Sequence, residues 1–229
     1  MKESSKQTIL VAVAHTDDET LGMGGTIANH TKKGDEVYCL SMSDGVSARN
    51  NAKPSDIERR LKASIKAAKE LGFKWLPCPF FPDNALDTVP LLSIVKIIEE
   101  VKEDLRPKII YTHSKADLNI DHRIVCDSVL TAFRPGPNEN WEEIITFEIP
   151  SATDYGHVDI TGKFTPNLFR NIKKTWINKK KALDAYSVEM RDYPHSRSIE
   201  GLLNLAKYTG NKVGLDMAEA FQIIRKVVR

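Results

Sequence analysis

Two short segments of the sequence bring together side chains that commonly bind metal ions. His15 and Asp18 occur in the first segment, and His122, preceded by Asp121, occurs in the second, far along the chain. Two imidazoles and one carboxylate leave coordination positions open for water and substrate, as catalytic zinc requires. We therefore predict that His15, Asp18 and His122 hold one divalent ion, and that Asp121 orients a ring or a base beside it.

The first segment, Ala14 to Glu19, comes at the end of an apolar run that starts at Thr8. Such a run predicts a strand buried on both faces, and ligands bind at the carboxyl ends of the strands in an open parallel sheet. A structural explanation competes with metal binding, because Thr16 or Asp17 would also cap the next helix and nearby acids favour its N-terminal dipole. The segment alone does not decide between the two.

Nucleotide binding is a third explanation for this region, because Gly22-Met23-Gly24-Gly25 follows the acids. A dinucleotide fingerprint needs its glycines at the strand-to-helix turn and in a different spacing. The turn itself carries Asp17, Asp18 and Glu19, which would repel a pyrophosphate. We therefore expect the glycines to allow the helix to pack closely on the sheet.

The elements around the two segments alternate between strand-like and helix-like patterns. This alternation predicts an α/β fold, Rossmann-like in its mostly parallel sheet with helices on both faces. The predicted strands are 8–14, 36–43, 74–80, 108–112 and 144–149, and the predicted helices are 19–33, 55–71, 90–105 and 122–133. Parallel strands 8–14 and 108–112 would bring the two chemical segments to one edge of the sheet.

The last part of the chain has a helical pattern, with predicted helices at 167–190, 198–209 and 216–227. No repeat, low-complexity tract or long linker divides the sequence. We expect one domain over residues 1–229, with an α/β core over about 1–150 and a helical C-terminal part over about 165–229.

Composition limits the classes of partner and compartment. The formal net charge is +2 and the pI is near 8.3, which gives little reason to expect nucleic acid as a partner. The cysteines, Cys39, Cys78 and Cys126, form no CxxC pair, which is typical of a reducing compartment. No apolar run is long enough for a signal-peptide core or a membrane span. We expect a soluble cytoplasmic protein without an integral membrane segment.

The two segments resemble the hallmarks of the LmbE-like, or PIG-L, family of metal-dependent N-acetylglucosamine deacetylases. Ala14 to Glu19 match the family's Ala-His-Pro-Asp-Asp-Glu, with Thr16 in place of the proline, and Ile120-Asp121-His122 match its Pro-Asp-His. The resemblance implies His15, Asp18 and His122 as ligands of zinc, with iron(II) or cobalt as alternatives. It also implies Asp17 as the general base.

Other residues are assigned by the same resemblance. The family often has a histidine where this chain has Asn119, and a glutamate where it has Ala63. Asn119 could donate a hydrogen bond to an oxyanion but cannot titrate. The residues that the resemblance offers for substrate binding, each of which could equally form a surface ion pair, are Arg60, Asp83, Asn84, His195 and Arg197.

The resulting functional hypothesis is removal of an N-acetyl group from an amino sugar of the N-acetylglucosamine type. The sugar could be nucleotide-linked, lipid-linked or part of a glycan precursor, and its identity as an acetamido sugar rests on the resemblance alone. The alternatives are a non-catalytic sugar- or metabolite-binding module and a metal-assisted hydrolase of another amide or of a phosphoester. The partner would be a small molecule, and a homo-oligomer stays open.

Overall fold

The computed structural model describes residues 6–228, so residues 1–5 and 229 of the expected domain lie outside the described part. The described residues form one sheet of seven strands, in the order β3-β2-β1-β4-β5-β7-β6. The strands are β1 (Thr8–Val13), β2 (Glu36–Ser41), β3 (Lys74–Trp75), β4 (Ile109–His113), β5 (Glu143–Phe147), β6 (Leu168–Asn171) and β7 (Ala218–Lys226). The first five pair in parallel, and β7 runs antiparallel to both of its neighbours.

Helices cover both faces of this sheet. They are α1 (Asp18–Lys32), α2 (Pro54–Leu71), α3 (Leu91–Leu105), α4 (Ile120–Ala132), α5 (Val158–Thr161), α6 (Trp176–Ala185) and α7 (Ile199–Asn211), with a short 3-10 helix at Leu86–Thr88. Side chains of α1, α2, α6 and α7 share one hydrophobic core, and side chains of α3 and α4 share the other. The predicted α/β class, with a mostly parallel sheet between two helical layers, is confirmed.

Strand β1 shows why the continuous apolar run has no alternation in its sequence. Ile9, Val11 and Val13 belong to one core, whereas Leu10 and Ala12 belong to the other, and all five side chains are fully buried. A strand buried on both faces needs apolar residues at every position. β1 therefore lies between the two hydrophobic cores of the molecule.

The glycines of α1 allow close packing, as predicted. A Cβ on Gly25 would lie 2.7 Å from Ile172, and one on Gly22 would overlap the ring of Phe147 in β5. The helix is kinked at Met23, whose φ of −145° is not helical. Beyond the kink, the N–H groups of Gly25 and Thr26 donate to the buried carboxylate of Glu219 at 3.0 and 2.7 Å, because a break in a helix creates donors without helical partners.

The C-terminal part is less helical than the sequence pattern predicts. Residues 216–227 were expected to form a helix, and β7 occupies most of this range instead. The expected helix at 167–190 is also wrong at its start, where β6 precedes the shorter α6. Only α7 matches its predicted range closely. Both added strands join the same sheet as the N-terminal core, so the C-terminal part contributes strands as well as helices.

Among the helices in the described range 6–228, none combines the length and the apolar character that a membrane span requires.

Candidate metal and catalytic site

The site lies where the strand order reverses, between the adjacent parallel strands β1 and β4. Helices after these two strands pack on opposite faces of the sheet, which leaves a crevice at the carboxyl edge. His15 and Asp18 follow β1, and Asp18 is the first residue of α1. His122 lies in the first turn of α4, after β4. The sheet therefore brings together the two segments that are far apart in sequence.

Three donor atoms converge at this edge, all from buried residues. His15 Nδ1 lies 3.3 Å from Asp18 Oδ2 and 3.3 Å from His122 Nε2, and the remaining pair, His122 Nε2 and Asp18 Oδ2, is 3.4 Å apart. Ligand atoms about 2.0–2.2 Å from a tetrahedral zinc ion stand roughly 3.3–3.6 Å from one another. The donor types and the size of the triangle both fit zinc.

Further carboxylates contact the ring nitrogens of His15 and His122 that point away from the triangle. The opposite ring nitrogen of His15, Nε2, lies 3.3 Å from Asp121 Oδ2 and 3.2 Å from Asp83 Oδ1. His122 Nδ1 lies 3.1 Å from Asp117 Oδ2. Such contacts fix the tautomer and the direction of a metal-binding ring. Asp121 is fixed in turn, because its other oxygen accepts the N–H of Leu86 at 3.0 Å.

A third histidine, His113, completes the packing beneath the triangle. Its ring stacks on His122 with centroids 4.0 Å apart and planes 6° apart. Nε2 of His113 accepts a hydrogen bond from the N–H of Ala14 at 2.9 Å. This bond occupies the lone pair of Nε2, which also lies 3.4 Å from Asp18 Oδ2. Burial and the neighbouring His122 lower the pKa of His113 well below its usual value. His113 is therefore a neutral ring that supports His122.

The electrostatics of the cluster favour positive charge at the triangle. Burial alone would lower the pKa of His122, but Asp18 and Asp117 raise it to about 9. Burial alone would raise the pKa of Asp18, but the charge of His122 and the hydrogen bonds from His122 and His15 hold it well below its usual value. A site that stabilises protonated imidazoles beside an ionised carboxylate will also stabilise a cation placed between them.

Asp17 is next to Asp18 in sequence, but its carboxylate contacts a different partner. Its φ of 131° is unusual for a residue other than glycine, and its side chain makes no helix-capping hydrogen bond. Its carboxylate instead meets Arg60, with Oδ1 2.9 Å from Nη2. Burial raises the pKa of Asp17, with Arg60 opposing and Asp18 adding to the rise. The capping explanation for Asp17 is wrong, and its buried carboxylate lies beside the donor triangle without being part of it.

Arg60 connects the residues that form one side of the site. Its Nε donates to Thr16 Oγ1 at 3.0 Å, and Nη2 also donates to the Thr16 carbonyl. Nη1 lies 2.9 Å from Glu189, whose carboxylate accepts two further bonds from Arg49 at 2.7 and 2.9 Å. Thr16 replaces a proline of the family motif. Its hydroxyl accepts a hydrogen bond from Arg60, and Arg60 in turn pairs with Asp17.

Gly45 allows this side of the site to form. Its φ is +66°, and a Cβ there would lie 3.0 Å from the Arg60 guanidinium. Any other residue would be strained in this conformation and would also push against Arg60.

Asn119 has a structural role that the sequence did not reveal. It is the N-cap residue of α4, and its Oδ1 accepts the N–H of Asp121 at 2.8 Å. Its Nδ2 donates to Asn84 Oδ1 at 3.0 Å. Asn119 nevertheless lines the same cleft as His15 and Asp17, so its second amide hydrogen remains a candidate donor to substrate.

The cleft around the site has a volume of about 320 Å³. Of the substrate-binding residues expected from the sequence, it is lined by Arg60, Asp83, Asn84 and Arg197. His195 is not among its lining residues, and its Nδ1 accepts the backbone N–H of Arg197 at 3.0 Å.

Sequence reasoning missed residues that support the site rather than form it. His113 and Asp117 are in the segment that leads to His122, so their positions beside a ligand were a usable signal. Glu189 comes from the loop after α6, and no local pattern connects it to Arg60. Pairing of this kind depends on tertiary structure.

Comparison with known proteins identifies the family. The model of the PIG-L family, described as GlcNAc-PI de-N-acetylase, matches residues 10–133, which is more than half of the chain. The chain belongs to this family. The matched range includes His15, Asp18 and His122, so the predicted family membership is confirmed on the segment that carries the site.

Three similar proteins illustrate the range of this fold. The probable N-acetyl-alpha-D-glucosaminyl L-malate deacetylase 2 of Bacillus subtilis is 28% identical over 134 residues, 56% of this chain and 61% of the relative, so less than two thirds of that relative is covered. N,N'-diacetylchitobiose deacetylase from Pyrococcus horikoshii has a TM-score of 0.75 at 22% identity, covering 96% of this chain and 84% of that one. GalB, the 4-carboxy-2-hydroxymuconate hydratase from Pseudomonas putida, has a TM-score of 0.73 at 18% identity, covering 97% of this chain and 98% of that one. The structural likeness shows the fold, and one fold carries different reactions.

Proposed function

We propose that this protein is a zinc-dependent hydrolase that removes the N-acetyl group from an amino sugar of the N-acetylglucosamine type. The observation that carries this proposal is the donor triangle of His15, Asp18 and His122 beside a buried carboxylate, Asp17, that is not part of it. A protein that only bound a metabolite would have no need of that additional carboxylate. The whole chain would act as one domain, because β7 joins the C-terminal part to the sheet of the core.

Different residues of the chain would carry out the separate steps of such a hydrolysis. A bound divalent ion would acidify a water molecule and polarise the acetyl carbonyl. Asp17, held by Arg60, would take the proton of the attacking water and pass it to the departing amine. Asp121 and Asp117 would keep the ligand rings in position. Asn119 would donate a hydrogen bond to the carbonyl oxygen as charge develops there. The products are acetate and a free amino sugar.

The choice of an acetamido sugar rests on the relatives. The family description and two of the similar proteins name removal of acetyl groups from glucosamine derivatives. The cleft has the polar lining that a sugar needs, with Arg60, Asp83, Asn84 and Asn119 offering donors and acceptors to hydroxyl groups. Zinc is proposed as the ion because the triangle has its size and donor types, although iron(II) and cobalt accept the same ligands.

Metal content and acetate release test this function together. Purified protein is expected to contain about one equivalent of a divalent metal, and to release acetate from one or more N-acetylglucosamine derivatives, free, phosphorylated or glycosidic. His15→Ala and His122→Ala should lose both the metal and the activity. His157→Ala is the matched control, since this histidine has a side chain that is 64% exposed and lies outside the site. Metal retained in both site variants would refute the ligand assignment, and an inactive, metal-loaded wild type would refute the reaction.

A further inference from the structure

Arg197 lines the cleft on the side of β5, and two hydrogen bonds donated by its Nε hold the side chain in place. Its Nε donates to the carbonyl of Pro150 at 3.2 Å and to Ser151 Oγ at 2.5 Å, both in the loop after β5. Its backbone N–H is held by His195, and the next residue, Ser198, caps α7. The side chain is partly buried and lines the cleft. Anchoring through Nε fixes the plane of the guanidinium and leaves its two terminal nitrogens available.

The charges around Arg197 are already paired with one another. Arg49 and Arg60 also line the cleft, and both meet the carboxylate of Glu189. The acids of the cleft are likewise engaged, Asp17 by Arg60 and Asp83 by His15. Within residues 6–228, Arg197 is the one arginine of the cleft that has no carboxylate at ion-pair distance. The charge of Arg197 helps to lower the pKa of Asp17, but no carboxylate in this described range bonds to its guanidinium directly. A partly buried guanidinium without a bonded carboxylate is stabilised when a ligand supplies an anionic group.

We infer that Arg197 forms an anion subsite, and that the substrate is an acetamido sugar carrying a carboxylate or a phosphate group. This inference rests on the proposed function and narrows it. A fixed guanidinium binds such groups through two parallel hydrogen bonds, which gives both affinity and direction. The anionic substituent would lie on the Arg197 side of the cleft, where the sugar's acetamido group can still reach Asp17. A neutral sugar would leave the arginine unpaired.

Matched substrates test the subsite through turnover. Acetate release is measured for N-acetylglucosamine methyl glycoside, N-acetylglucosamine 1-phosphate and an N-acetylglucosamine glycoside of a hydroxy acid, which separates the two sources of negative charge. The wild type should prefer an anionic substrate, and Arg197→Gln should lower the ratio of anionic to neutral kcat/KM by roughly 10- to 100-fold. Arg197→Lys should fall between them, because it keeps the charge without the planar fork. Arg191→Gln is the control, since Arg191 is exposed on the same loop and bonds only to backbone carbonyls.

Binding of the deacetylated products tests the subsite without turnover. Calorimetry would compare glucosamine 1-phosphate, a glucosamine glycoside of the same hydroxy acid and the neutral methyl glucosaminide on the wild type and Arg197→Gln. Tighter binding of an anionic product that is lost in Arg197→Gln supports the subsite, even if no acetate is released and the proposed reaction fails. Equal losses for neutral and anionic ligands would overturn it and make Arg197 a support for the loop. Equal affinity of the wild type for all three ligands would overturn it as well.

Discussion

Two adjacent acids, Asp17 and Asp18, face different partners in this site. The carboxylate of Asp18 meets His15 and His122, and that of Asp17 meets Arg60. The backbone achieves this separation at Asp17, whose φ of 131° turns its side chain away from the triangle. A conformation of this kind costs about 1–3 kcal/mol and persists where the surroundings enforce it. Here Arg60 and the bond from the Asp17 N–H to Glu19 at 2.9 Å do so.

Asp17→Asn is expected to separate proton transfer from metal binding. The amide fills the same space but accepts protons poorly, so turnover should fall by about 10²–10⁴-fold, as for other general bases. Metal content should stay at the wild-type level, whereas Asp18→Asn should lose metal because its carboxylate is a corner of the triangle. Both quantities are measured on the same preparations. Loss of metal in Asp17→Asn with retention in Asp18→Asn would reverse the two roles.

Thr16 replaces the proline of the family's Ala-His-Pro-Asp-Asp-Glu motif, and its hydroxyl accepts a hydrogen bond from Arg60. Thr16→Val removes the acceptor for Arg60 Nε without changing the size of the side chain. Because one such bond contributes about 0.5–1.5 kcal/mol, kcat/KM should fall by roughly 2- to 10-fold with metal content unchanged. Thr16→Ser keeps the hydroxyl and should stay close to the wild type. Full activity of Thr16→Val would show that the remaining bonds hold Arg60 sufficiently.

At the scale of elements, the sequence predicted the parts of the fold that have an unambiguous pattern. The apolar run of β1 and the acids and histidines after β1 and β4 were sufficient to predict one sheet edge with His15, Asp18 and His122 together. β7 was missed because its sequence, Ala-Glu-Ala-Phe-Gln-Ile-Ile-Arg-Lys, lacks the regular alternation of apolar and polar residues that is typical of a strand. Apolar residues at Ala218, Phe221 and Ile224 also match the spacing of a helix, so sequence periodicity alone could not separate the two.

At the beginning of α4, Asn119 is the N-cap residue and also the proposed hydrogen-bond donor to the oxyanion. Asn119→Ala removes the N-cap and should lower the free energy of unfolding by about 0.5–2 kcal/mol. Asn119→Ser keeps an oxygen for capping but loses the amide donor. If the amide stabilises the oxyanion, Asn119→Ser should have near-normal stability and a kcat reduced by about 10- to 10³-fold. Denaturant unfolding and kcat, measured on both variants, distinguish the roles, and a fully active Asn119→Ser would leave only the cap.

At the scale of the whole molecule, one buried ion pair connects the C-terminal strand to the helix that carries the site. Glu219 in β7 lies 2.7 Å from Lys179 of α6, with side chains 4% and 5% exposed. The same carboxylate accepts the N–H groups of Gly25 and Thr26 after the kink of α1, and Lys179 donates to the carbonyl of Leu21 before the kink at 2.8 Å. The pair thus connects α1, α6 and β7 around the break in α1.

Glu219→Ala should therefore destabilise the molecule as a unit. It leaves the buried ammonium of Lys179 without a counter-charge and two helix donors without an acceptor, so the free energy of unfolding should fall by about 3–5 kcal/mol. Glu143→Ala is the matched control, because its pair with Lys226 also joins β5 and β7 but the lysine side chain is 55% exposed. Surface pairs contribute about 0–1 kcal/mol. Calorimetry should show a single transition for the wild type and for both variants, displaced strongly only in Glu219→Ala. A separate early transition in that variant would mean that residues after β5 unfold independently, against the proposal of one domain.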